Sequence, residues 1–189
     1  MPIQIGQKQE SDFTDPLGLL SDCHRRIERF LGVLIRICKK GDGGAIEADE
    51  RAALETALTY FRNAAPKHTA DEEESLFPRL RAEGRAESAR ECLDRLEGDH
   101  VAAGRDHEIV DSVGTQWLRD GALGEGRARE MSEALERLAG LYARHIAIED
   151  TELFPLAAQV LPANQLADVG REMADRRGVA TGAGSKMGR

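Results

Sequence analysis

The sequence predicts an all-α protein: four long helices in up-down-up-down order, followed by a short helix and a flexible C-terminal tail. Three observations carry that expectation. Runs of β-branched or aromatic residues alternating with polar ones do not occur, whereas Ala, Leu, Glu and Arg dominate the long segments. Apolar residues recur at helical spacing in four stretches, each bounded by glycine or proline. The breaks between stretches are short, which makes consecutive helices antiparallel neighbours of a bundle.

The first helix opens at Asp15-Pro16, a capping carboxylate followed by proline at the first helical position. Its stripe of Leu17, Leu20, Ile27, Leu31 and Leu34 runs until Gly41-Asp42-Gly43-Gly44 ends it. The second begins near Glu47 and carries Leu54, Leu58 and Phe61; Pro66 should kink it and Phe77-Pro78 should close it. The third spans about residues 86–120 and the fourth about 127–158, with Gly121, Gly124 and Gly126 between them. A shorter fifth helix starts at Pro162, and Gly178 to Arg189 holds nothing large enough to bury. The expected division is an extension over 1–14, the bundle over 15–160, and the short helix with its tail over 161–189.

A chain of 189 residues suffices for one domain, and 41% hydrophobic with 32% charged residues excludes disorder throughout. The net charge of −8, with no basic run beyond Arg176-Arg177, argues against nucleic acid or a membrane surface as partner. Neither a signal sequence nor an apolar stretch of roughly 18 residues is apparent, so a cytoplasmic location is expected. Cys23, Cys38 and Cys92 are odd in number and lack paired spacing, which fits reduced thiols rather than a disulfide framework or zinc ribbon.

An internal repeat gives the first indication of function. His-Thr-Ala-Asp-Glu-Glu-Glu-Ser-Leu-Phe-Pro from His68 matches His-Ile-Ala-Ile-Glu-Asp-Thr-Glu-Leu-Phe-Pro from His145, 77 positions later. His24 and His100 are 76 positions apart. The bundle therefore reads as two similar helical hairpins, each contributing one lone His and one His-x-x-x-Glu.

Side chains four apart lie on one helix face, so His68 with Glu72, and His145 with Glu149, each form a chelating pair. The stripes place His24 and His100 inward as well. A single inward histidine is more often a hydrogen-bonded core residue than a ligand. Four imidazoles and two carboxylates together would be costly to bury without a cation between them. The donor set suits two first-row transition ions, iron or manganese before zinc, bridged by Glu72 and Glu149. The bland alternative is a helical scaffold that binds partners and holds no metal.

With the twin His-x-x-x-Glu and Leu-Phe-Pro motifs, the sequence resembles the hemerythrin-like, His-His-Glu cation-binding family over about residues 15–160. The resemblance implies a four-helix bundle around a non-haem di-iron centre. It further implies His24, His68, His100 and His145 as terminal ligands and Glu72 and Glu149 as bridges. Oxygen-carrying members have another histidine four residues after the third-helix ligand, where this chain has Gly104. The spacing of the four histidines is instead similar to that of di-iron repair proteins made under nitrosative stress. Those carry an N-terminal cysteine-bearing domain, for which residues 1–14 are too short.

Counting two histidines, two carboxylate oxygens and one bridging oxygen species leaves each iron one position short of six. That favours binding or reductive handling of a small diatomic (dioxygen, nitric oxide or peroxide) over reversible oxygen transport, with an electron donor among the candidate partners. The alternative is an iron donor or store serving client iron proteins. Glu28, four residues after His24, is expected to fill the space at Gly104, as a further ligand or as acceptor for a metal-bound water, unless it reaches solvent. Glu73 is a candidate for orienting a ligand, while Glu74 and Asp150 read as a solvated face. His107 lies about 10 Å along the axis from His100 and is assigned to core or surface. The Leu-Phe-Pro segments read as apolar anchors followed by helix stops.

Overall fold

The Asp15 carboxylate accepts a hydrogen bond from the Gly18 N–H at 3.1 Å, and Pro16 begins α1 (Pro16–Gly41) without an orphaned donor. The helix ends where Asp42 turns left-handed at φ 41° and donates its N–H to the Cys38 carbonyl at 3.0 Å. The computed structural model describes residues 10–83 and 87–180.

The second rod is broken three times. Helix α2 (Ala48–Asn63) starts where Glu50 accepts from the Glu47 N–H at 3.1 Å, and it yields at Ala64 to α3 (Ala65–Ala70), the interruption expected of Pro66. A π-helical turn then spans Asp71–Leu76, with the Phe77 N–H donating to the Glu72 carbonyl. Beyond it α4 (Phe77–Ala82) continues, so Phe77-Pro78 does not close the helix as predicted. The wider turn explains this: it moves away the carbonyl a proline ring would strike and sets Pro78 at the start of a new segment, where no N–H is needed.

Helix α5 (Glu87–Asp120) forms the third rod and ends before Gly121, at φ 79°. The fourth repeats the design of the second: α6 (Glu125–Ile148), a π turn over Glu149–Leu153, and α7 (Phe154–Val160) with Pro155 in its first turn. Here too Leu-Phe-Pro is a passage rather than a stop. Helix α8 (Ala163–Arg176) completes the order after Pro162. No strand occurs among the described residues, and no described helix is long and apolar enough to cross a membrane. Of the expected C-terminal tail, residues 181–189 lie outside the described residues, as do 1–9 of the N-terminal extension.

Helix α1 packs on α2, α2 on α5, α5 on α6 and α6 on α1, which closes the four-helix square. Its interior holds two apolar clusters. Leu20, Phe77, Leu96, Phe154 and Met173 fill one end; Leu34, Leu58, Trp117, Met131 and Leu135 fill the other. Trp117 is fully buried at the far end, donating to the Gly44 carbonyl at 2.8 Å. His24, between Leu20 and Ile27, and His100, between Leu96 and Ala103, lie in the layer separating the clusters.

Helix α8 is tied to the first π turn. Buried Asp71 accepts from Arg176 at 2.9 Å and Arg177 at 2.6 Å, and Arg79 pairs with Glu172 at 2.7 Å. Burial raises the Asp71 pKa despite the two guanidinium groups. Truncating Asp71 would leave the largely buried Arg177 without its carboxylate and Arg176 with only the exposed Glu74. Asp71→Ala is expected to lower stability by about 3 kcal/mol, read from the denaturant midpoint, and an unchanged midpoint would refute the clamp.

Candidate metal centre

Six side chains from four rods meet in the layer between the two apolar clusters. Glu72 spans it: Oε1 lies 3.3 Å from His68 Nε2 and 3.7 Å from His24 Nε2, while Oε2 lies 3.3 Å from His100 Nε2. Glu149 Oε2 is 3.1 Å from both His24 Nε2 and His145 Nε2. His100 Nε2 and His145 Nε2 are 3.1 Å apart. Two groups thus form, each able to hold a metal ion: Glu72, His100, His145 and Glu149, and His24, His68 and Glu72. Glu72 belongs to both.

The repeat accounts for the arrangement. Each motif gives its His and Glu to the layer, while its second acid and its Phe serve the lone histidine of the other hairpin. Glu73 Oε1 contacts His100 Nδ1 at 2.8 Å, and Asp150 Oδ1 contacts His24 Nδ1 at 2.9 Å. Phe77 stacks on His100 at a centroid separation of 6.2 Å, and Phe154 on His24 at 5.4 Å. A carboxylate at Nδ1 fixes the proton there and leaves Nε2 facing inward as a donor atom. Asp150 is therefore not part of a purely solvated face. Ser21 and Arg25 also bond to it, and His24 and Ser21 outweigh burial to lower its pKa. The repeat itself held that signal, since Glu72-Glu73 and Glu149-Asp150 are both acidic pairs.

Electrostatics without a cation are strained. Burial alone would discharge His24, but Asp150, Glu149 and Glu72 raise its pKa to about 11. Burial is likewise overcome at His100, raised to about 9 by Glu72 and Glu73, but not at His68, pushed down to about 4. The Glu72 carboxyl is held well below the usual range because His68, His100 and His24 outweigh its burial. Even so, His24 Nε2 and both oxygens of Glu72 and of Glu149 are buried without a hydrogen-bond partner. Five orphaned donor atoms aimed into one layer fit divalent cations, and mixed imidazole and carboxylate donors suit first-row transition ions.

Glu28 does not join them. It is exposed and pairs with Arg25 at 3.3 Å, because Ile27 and Leu31 already fill the inward arc of α1 and Glu28 falls beyond its edge. The space at Gly104 exists nonetheless: a β-carbon there would meet no neighbour within 4 Å. It opens into a cavity of about 440 Å³ reached by Phe61, Pro66, His100, His107 and Tyr142. His107 Nε2 lies 2.8 Å from the Tyr142 hydroxyl, and burial pushes the imidazole pKa down to about 4.

An uncharacterized protein of Haemophilus influenzae is 31% identical over 182 residues, which are 94% of this chain and 99% of the relative. The family model of the hemerythrin HHE cation binding domain matches residues 15–157, a span containing both hairpins and all six converging side chains. With its twin motifs, closed four-helix square and buried imidazole-carboxylate layer, the chain belongs to the hemerythrin HHE cation-binding family.

Proposed function

We propose that the chain is a non-haem di-iron protein that binds or reductively handles a small diatomic ligand: dioxygen, nitric oxide or peroxide. His24, His68, His100 and His145 are the terminal ligands, and Glu72 and Glu149 the bridges. The observation that carries this reading is the Glu72 carboxylate, whose two oxygens face histidines of different groups. Bound there, the ions supply a redox couple and open coordination positions. The chain supplies the rest. Glu73 and Asp150 hold protons on His100 Nδ1 and His24 Nδ1, which keeps both Nε2 atoms free to donate. Phe77 and Phe154 cover the imidazoles and exclude water from two sides of the layer. Such an activity suits a response to oxidative or nitrosative stress.

Elemental analysis of the purified protein should find about two iron atoms per chain. Its ultraviolet-visible spectrum should change reversibly or catalytically on adding nitric oxide or dioxygen. Less than one transition ion per chain after reconstitution would refute the centre. A full iron load with a spectrum indifferent to these ligands, and rapid loss of iron to a chelator, would favour an iron donor instead.

A further inference from the structure

The cavity beside the layer lies between α2, α3, α5 and α6, and His100 is the cluster member that lines it; His24, His68 and His145 are at most 4% exposed. Its volume, about 440 Å³, is more than ten times the roughly 30 Å³ share of a water molecule, which is close to what a diatomic needs. It falls within the range of about 300–1,000 Å³ that holds small organic ligands.

The lining specifies what fits. Leu58, Phe61, Ala103 and Val110 supply apolar walls. At the rim Arg62 donates to Asp111 and to Thr115, each at 2.5 Å, so its charge is already matched. Thr69 and the exposed Glu108 also line the cavity, and its polar pair is His107 Nε2 and the Tyr142 hydroxyl, 2.8 Å apart. The pair owns an imidazole N–H and a phenol O–H but uses one proton in their mutual bond. Either tautomer leaves one donor over: the Tyr142 O–H when His107 donates from Nε2, or the unpartnered Nδ1–H when the phenol donates. A spare donor on apolar walls calls for an acceptor without charge.

We propose that this cavity binds a small uncharged organic molecule with an apolar body and a carbonyl-type oxygen, such as an aromatic ketone, aldehyde or quinone. Its oxygen accepts from the Tyr142-His107 pair, and its body lies along Phe61 towards His100. Gly104 keeps the space open, since any larger side chain at that position would occupy it. Binding itself does not depend on the metal; what the molecule meets at His100 rests on the di-iron reading.

The test uses para-fluoroacetophenone with the iron-loaded protein, followed by fluorine NMR, and para-fluoroethylbenzene as the analogue without the carbonyl. The ketone should bind saturably, with a line broader in iron-loaded than in zinc-loaded protein. Tyr142→Phe should weaken the ketone about tenfold while leaving the hydrocarbon unchanged, the loss of one hydrogen bond. Gly104→Phe should abolish binding of both, with helix content confirmed by circular dichroism. Absence of saturable ketone binding up to its solubility limit, or a Tyr142→Phe variant that binds it as tightly as the parent, overturns the proposal. Iron content measured on the same samples separates the two readings: ketone binding with no iron retained sinks the centre and keeps the cavity, and a full iron load with no binding does the reverse.

Discussion

Glu72→Ala is expected to reduce bound metal from about two ions per chain to at most one, as large a loss as any single substitution in the layer should give. Glu72 is the residue shared by both groups of donors. Glu149→Ala should likewise leave about one ion, because His24, His68 and Glu72 stay together just as His100, His145 and Glu149 do without Glu72. Glu74→Ala should keep the full complement, because that carboxylate is 67% exposed and pairs with Arg176 at 3.2 Å on the outside of the π turn. Misfolding is not a competing explanation. Without metal, removing Glu72 takes a partner from His24, His68 and His100, so the stripped variant should melt somewhat below the parent while keeping its helix content. Mass spectrometry of the metal content, with thermal melts of the stripped proteins, checks both halves; equal losses in the Glu72 and Glu74 variants would show that the assignment of faces is wrong.

The contrast between Glu72 and Glu28 shows where sequence reasoning reaches and where it stops. His68 with Glu72 and His145 with Glu149 were legible because the chelating pair is local, four residues on one helix, and occurs twice. His24 and His100 were legible from the apolar stripes around them. Glu28 satisfies the same four-residue rule from His24 yet lies outside, since the width of an inward arc is set by how closely the neighbouring helices approach. The π turns were hidden for a related reason. A change of backbone hydrogen bonding leaves no apolar pattern, and Pro78 and Pro155 are the residues that hint at it, each six positions after its glutamate. Reading those prolines as helix stops followed from assuming regular α geometry. The same assumption turned Asp150 outward, because in a regular helix it would sit about 100° from Glu149. The missing imidazole at Gly104 was visible in the sequence, but what the space became depended on Phe61, Pro66 and Tyr142 from other helices.

Stripped of metal, the protein should be most stable near pH 6.5 and lose stability in both directions, whereas the loaded protein should lose the alkaline limb. His24 and His100 have folded pKa values raised from 6.5 to about 11 and about 9. Their contribution is complete below about pH 6.5 and is lost as pH rises towards 9 and on through 11, because the unfolded chain has already released those protons. His68 and His107 act oppositely. Both are lowered to about 4, so their contribution is present above about pH 6.5 and is lost as pH falls towards 4, where the unfolded chain binds protons that the folded one refuses. Glu72, held well below its ordinary value of 4.5, adds to the acid limb alone. Metal binding requires neutral imidazoles, so an ion held by His24 and His100 would take the place of their protons, and its affinity would grow with pH. Free metal at a hundredfold excess over Kd would add about 2.7 kcal/mol, which is roughly 5–10 °C in Tm for a chain of this size. Calorimetric melts with and without chelator, between about pH 5 and pH 9, should therefore give a gap that widens on the alkaline side. A gap that is constant or narrows as pH rises would mean that the ions do not displace protons from these histidines, and the assignment of His24 and His100 as ligands would fall with it.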